Sequence, residues 1–335
     1  MTTQRSGRQR RRRARIVSVC VRGTPLVQDR HNPARLELLR LVLRAVAGRP
    51  GWTDLDAVLF PAGFFRGPGS LGPLPARDWA DCLASSPILR ESARGASRLN
   101  DQSPGCIVST GFDMPMASKG WRGDHLMVAA NAAGLVGCAR KFFPVDDATA
   151  ASAYGIFPDD VDDLLRLVSL PCGQTALLSV CYDAFAIMDS CVGPTAKRRG
   201  LRYAFQPDGD WHELKPYERD ALVERYHLLL ERAKPTVHLI GIHKFALPGR
   251  DGYWQRHGVA TASAGLRGAF CVGAAHFTRK LPVSPEQSCL TAAGVSHHHL
   301  SEGSARKAWG CAPVDSFTVN VPDKATAALV RLFEA

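Results

Sequence analysis

Apolar positions along this chain follow two periods, and their alternation lays out the elements. Residues 16–21 form a short β-branched run. Over residues 33–47 the apolar side chains Leu36, Leu39, Leu43 and Val46 fall on one helical face, with Asn32 as cap, Pro33 as first helical residue and Gly48 as the stop. Residues 56–60 then read as a buried strand closed by Pro61 and Gly63, which completes a β-α-β opening. Further strands are expected at 106–109, 125–130, 135–139, 176–181, 237–242, 269–274 and 316–321. A helix is expected over 216–233, where Leu222, Tyr226, Leu229 and Leu230 share a face, and a final helix after Pro322. The Gly-, Pro-, Ser- and Arg-rich stretch 66–105 reads as surface elaboration with a helical piece over 79–83, and 194–210 is basic and irregular.

Composition changes this picture little. The 335 residues are 45% apolar and 22% charged, which excludes intrinsic disorder and a fibrous repeat and supplies a sizeable core. The formal charge of +11 is concentrated in Arg5, Arg8, Arg10, Arg11, Arg12, Arg13 and Arg15; without them the balance is only +4. Residues 1–15 are therefore read as a disordered Arg-rich tail. It is able to meet phosphates or an anionic surface but has no aromatics to stack bases, and its other reading is a solubilising leader. The apolar run after it is too short for a secretory leader, and no run approaches a membrane span. Ten scattered cysteines without a C-x-x-C pair support neither a zinc ribbon nor a disulfide scaffold and point to a reduced, cytoplasmic setting. One α/β domain over 16–335 is expected.

Chemistry is expected where strands end, because side chains there project into the crevice of an α/β sheet. The run TALLSVCYDAF brings Cys181 to a strand end beside Tyr182 and Asp183; LVGCARKF ends at Arg140 and Lys141; AVLF ends at Pro61, Ala62 and Gly63. In this order the three ends resemble the carbon–nitrogen hydrolase (nitrilase/amidase) superfamily, whose pattern is a strand ending F-P-E, a strand ending R-K, and a C-Y-D or C-W-E turn. The runs HLIGIHKF, DGYWQRHGVATASAG and GAFCVGAAHF continue the likeness, with insertions near 66–105 and 194–235.

The resemblance implies a four-layer α-β-β-α sandwich, a homodimer or higher oligomer, and no metal or organic cofactor. It implies Cys181 as nucleophile, Lys141 as stabiliser of the oxyanion, and Tyr182 and Trp254 as substrate-binding residues. The family's glutamate is the base, and here Ala62 stands in its place; a methyl group accepts no proton, and losing a positioned base costs about 10²–10⁴-fold in rate. Two strand-end histidines, His243 and His276, are candidate substitutes. Asp113, Asp146 and Asp147 offer another route but read as solvent-facing. His297, His298 and His299 cannot converge on one metal from consecutive positions and read as surface, as does the cluster Lys197, Arg198 and Arg199. The expected activity is cysteine-dependent hydrolysis of a small-molecule amide or nitrile through a thioester or thioimidate. The alternative is an impaired pseudoenzyme that binds a small ligand or serves as a scaffold.

Overall fold

The computed structural model describes residues 12–25, 29–67, 74–114, 124–142, 155–185, 201, 203–205, 211–245, 254, 258–277, 290–296, 298, 310–322 and 327–335. Its strands are β1 (Arg15–Arg22), β2 (Ala57–Leu59), β3 (Phe65–Arg66), β4 (Ile107–Asp113), β5 (His125–Asn131), β6 (Gly134–Arg140), β7 (Gly155–Ile156) and β8 (Leu167–Ser169). They continue with β9 (Thr175–Val180), β10 (Tyr203–Phe205), β11 (Trp211–Glu213), β12 (Val237–Phe245), β13 (Phe270–Phe277), β14 (Thr291–Ala292), β15 (Asp315–Asn320) and β16 (Ala327–Glu334). The α-helices are α1 (Asn32–Ala47), α2 (Ala76–Ala84), α3 (Pro87–Leu99), α4 (Pro216–Ala233) and α5 (Ala260–Gly265).

The fold is α/β, and its large sheet is two sheets joined at one corner. One runs β15-β16-β1-β2-β4-β5-β6 and the other β14-β13-β12-β9-β8. They meet where the end of β1 pairs with the end of β13, Val21 opposite His276 and Arg22 opposite Phe277. Away from that corner β1 turns its edge to β16 instead, and the sheets stack face to face. The stacking is direct: the Ser18 hydroxyl of β1 donates to the Gly273 carbonyl of β13 at 2.7 Å, and a Cβ on Gly137 of β6 would lie 2.6 Å from Val168 of β8.

Alternation sorts the strands between two cores. Ile16, Cys20, Ala57 and Leu59 face the space between the sheets, while Val17, Val19, Val21 and Val58 face the layer of α1, α2 and α3. Leu222, Val223, Tyr226 and Leu230 of α4 join the inter-sheet cluster, with Tyr226 edge-on to Phe142 at 5.8 Å.

Four expectations are corrected. The chain ends in β16, not a helix: Ala327–Glu334 is sandwiched between β1 and β15, so ladder pairing on both edges outweighs a run of Ala and Leu that favours helix. The stretch 66–105 is more than surface elaboration, since α2 and α3 bury Trp79, Leu83, Leu89 and Leu99 against the first sheet. Asn32 does not cap α1; its amide accepts from the Arg66 backbone N–H at 2.9 Å and donates to the Arg66 carbonyl at 2.7 Å, tying the helix start to β3. The tail boundary also falls too late. Arg15 opens β1 and donates to Glu334 at 2.8 Å, and Arg12 pairs with the buried Asp56 carboxylate at 2.9 Å. Arg5, Arg8, Arg10 and Arg11 lie outside the described residues.

Among the described residues the cysteines are free thiols, with Cys82 exposed and Cys311 half-buried, and no helix is long and apolar enough to cross a membrane. The turn after β2 presses on β4 so closely that a Cβ on Gly111 would lie 2.3 Å from the Ala62 Cα and 2.4 Å from the Pro61 carbonyl oxygen. Backbone on backbone has no flexible side chain to yield. Gly111→Ala is therefore expected to destabilise the protein by about 1–3 kcal/mol, read as a lower urea midpoint at unchanged m-value.

Candidate active site

β1, β2, β4, β9, β12 and β13 run parallel, and β6, two antiparallel steps from β4, runs with them. Their C-terminal ends lie on one edge, which gathers Ala62, Asp113, Lys141, Cys181, His243 and His276. His125 joins them because β5 starts where β4 ends, opposite Asp113.

Cys181 follows β9 directly and opens a short 3-10 turn, Cys181–Phe185, with φ of +51° and only 4% of its surface exposed. A left-handed non-glycine residue costs about 1–3 kcal/mol. The turn is clamped: the Phe142 N–H donates to both oxygens of Asp183, at 3.1 and 3.2 Å. That clamp joins the turn to the end of β6 and so sets Lys141 beside Cys181. Lys141 is itself buried, with its Nζ 6.0 Å from the Tyr182 ring centroid. Its neighbour Arg140 is fixed by the Asp124 carboxylate, which also accepts from the Trp79 indole of α2, and it stacks over Phe157 at 5.1 Å.

His243 stands between Asp113 and Cys181. Its Nε2 meets Asp113 Oδ1 at 2.8 Å, and its side chain is near enough to the Cys181 thiol to lower the thiol's pKa. Asp113 is buried, not solvent-facing; β4 ends against the turn after β2, where a Cβ on Gly63 would lie 2.5 Å from Asp113 Oδ2. Burial alone would lower the His243 pKa, but the Asp113 charge and hydrogen bond, with Cys181, raise it to about 9. Burial pushes the Cys181 thiol up, yet the His243 hydrogen bond and the Lys141 charge outweigh it and leave the pKa below its ordinary value. Burial likewise opposes ionisation of Asp113, and His125 and His243 overcome it to hold the carboxylate well below the usual range.

Ala62 is buried in that turn and offers no proton acceptor. His276 sits at the corner between the sheets, fully buried, and burial holds it well below its ordinary pKa. The charges acting on it are those of Arg35, His243 and Asp113, whereas the groups acting on the thiol are His243 and Lys141. Tyr182 and Trp254 come together, ring centroids 5.9 Å apart. His125 was missed by the sequence reading. Its ring lies 4.3 Å from that of His243 and its Nε2 4.0 Å from Asp113 Oδ1. The cross-strand pairing of Asp113 with His125 is the signal that would have found it, and that needs register. His298 is exposed, and Asp146, Asp147, Lys197, Arg198, Arg199, Tyr253, Arg256, His297 and His299 lie outside the described residues.

No protein-family model matches the chain, and no curated protein matches it. Among solved structures, a cysteine-to-alanine mutant of the Nesterenkonia AN1 amidase from the nitrilase superfamily is similar at 16% identity and a TM-score of 0.39, over 80% of this chain and 78% of that one. An amidase from Nesterenkonia sp. is similar at 16% identity and a TM-score of 0.39, over 80% and 77% of the two chains. A mutant of the Nesterenkonia sp. AN1 amidase, showing covalent addition of the acetamide moiety of fluoroacetamide at its active-site cysteine, is similar at 16% and 0.38, over 80% and 77%.

The raised His243 pKa carries a signed stability prediction. A raised folded-state value brings stability that is fully present below the ordinary histidine value and is lost as pH rises through about 9. Asp113→Asn removes the attraction responsible. In urea unfolding at low salt, the deficit of Asp113→Asn relative to wild type is expected to be on the order of 1–3 kcal/mol near pH 6 and to narrow as pH rises through about 9.

Proposed function

We propose that this protein is a cysteine-dependent hydrolase of a small amide or nitrile C–N bond, with His243, oriented by Asp113, as its proton carrier in place of a carboxylate at position 62. The observation that carries the reading is the chain of groups at one sheet edge: carboxylate, imidazole and thiol in sequence, with a buried ammonium beside the thiol. A thiol becomes a nucleophile when a neighbouring base takes its proton and a cation steadies the thiolate.

On an amide the steps balance as follows. The Cys181 thiolate adds to the carbonyl carbon, and negative charge develops on the carbonyl oxygen beside the Lys141 ammonium. His243, protonated, gives its proton to the departing amine, so that ammonia leaves and a thioester remains. His243, now neutral, takes a proton from water as the water adds to the thioester. Collapse expels the sulfur, releases the acid and restores the thiolate and imidazolium. Asp113 keeps the imidazole in place and stabilises its charge throughout, the part a carboxylate plays in serine and cysteine triads. On a nitrile the thiolate adds to the nitrile carbon while His243 gives its proton to the nitrogen, forming a thioimidate; a first water adds and ammonia leaves, and the resulting thioester is hydrolysed by a second water as above. Tyr182 and Trp254 would supply the apolar wall for the substrate.

Ammonia release from a panel of small amides and nitriles tests this reading. Cys181→Ala is expected to abolish turnover, and full activity in that variant would overturn the assignment. His243→Ala and Asp113→Asn are each expected to lose about 10²–10⁴-fold in kcat, and Lys141→Met about 10²–10³-fold. Ala62→Glu is expected to turn over no faster than wild type, because the base is already present; acceleration by Ala62→Glu would show that His243 does not serve as one. Silence of the wild type across the panel, with turnover by Ala62→Glu, is the outcome expected of a pseudoenzyme.

A further inference from the structure

We propose that Asp113, His125 and His243 form a binding site for a divalent transition-metal cation of the zinc class, and that the bound ion arrests the site by holding His243. The first part stands on geometry alone; the second rests on the role given to His243 above.

One ligand atom from each of the three residues lies within 4.8 Å of the others. The ligands of a tetrahedral zinc ion, at ~2.0–2.1 Å from the metal, stand about 3.3 Å apart. Asp113 Oδ1 lies 2.8 Å from His243 Nε2 and 4.0 Å from His125 Nε2, values on either side of that spacing. Closing on an ion therefore needs side-chain shifts of about an ångström and no movement of the strands. Two imidazoles and one carboxylate are a borderline donor set suited to zinc, cobalt or nickel, not to calcium or magnesium, which demand oxygen. All three residues sit at the ends of paired strands, and Asp113 and His125 are register partners, so the donors are presented by rigid backbone. Water fills the remaining position of a three-ligand zinc site.

Cys181 is outside this ligand set: it acts on His243 without being among the three converging groups. The ion takes Nε2, the nitrogen now held by Asp113, and a ring metallated at that atom carries at most one proton, so it cannot become the imidazolium that the mechanism above uses as acid. Metal and catalysis thus compete for one imidazole.

Chelator-treated full-length protein is titrated with zinc chloride by calorimetry, and with cobalt chloride by visible absorption. The expected result is one ion per chain, a tetrahedral cobalt spectrum without a thiolate-to-cobalt charge-transfer band, and at least tenfold weaker binding in His125→Ala and His125→Asn, each checked for folding by circular dichroism. A strong charge-transfer band, or binding unchanged in both variants, would place the metal on thiols such as the exposed Cys82 and overturn the site. Absence of one-to-one binding in the wild type would overturn it as well. The wild-type cobalt spectrum decides even if both variants fail to fold. For the second part, iodoacetamide labelling of Cys181 is followed with and without zinc: at least tenfold slowing at saturation is expected, and unchanged labelling would leave a metal site that does not arrest the thiol. These readouts need no substrate, so failure of the metal site and failure of the hydrolase reading are separable.

Discussion

The direction of the strands is the constraint on which the rest depends. Because β1, β2, β4, β6, β9, β12 and β13 all point one way, whatever stands at their C-terminal ends is delivered to one edge of the sandwich. Among the described residues the two sheets are joined where β1 meets β13, at that same edge, and β4 and β12, which belong to different sheets, bring Asp113 and His243 within 2.8 Å. The site therefore depends on the stacking of the two sheets.

Such a site holds a carboxylate, two imidazoles, an ammonium and a thiol with little access to water. Isolated burial of any one of these charges would cost several kcal/mol, and only their mutual placement makes the ionised forms tolerable. Asp113 ionises against burial because two imidazoles face it, and His243 and Lys141 lower the thiol's pKa against the same burial. The same logic runs one layer further out. Arg140, buried next to Lys141, is held by Asp124 and lies near Asp160, whose pKa burial raises to about 6. That network pins the end of β6, and α2, donating through Trp79, covers it. The helices over 76–99 are therefore part of what positions Lys141.

A base supplied from β12 also explains how the turn at Ala62 is used. The turn lies so tightly on β4 that Gly111 and Gly63 have no room for a Cβ. In the proposed mechanism the carboxylate comes from the end of β4 instead of the end of β2, and it works through an imidazole instead of directly on the thiol. This is a different division of labour at the same edge.

Much of this was legible from residue order. The β-α-β opening, the helix over 216–233, most long strands, and Cys181 and Lys141 at strand ends follow from local period and turn residues, because a buried strand writes its own apolar run. His243 was a candidate for the same reason. The last strand was not legible: β16 is made by neighbours on both edges, and a run of Ala and Leu carries no record of them. Nor was Asp113's burial, or His125 at all: the strand was expected to stop at 109, which left Asp113 in a loop, whereas it runs on to Asp113 and packs against the turn at Gly63. The sequence by itself determined which side chains end the strands, since that depends on neighbours a few residues away. Only the tertiary structure decided which of those ends meet, because register and sheet stacking are contacts between segments more than a hundred residues apart, as Asp113 and His243 are.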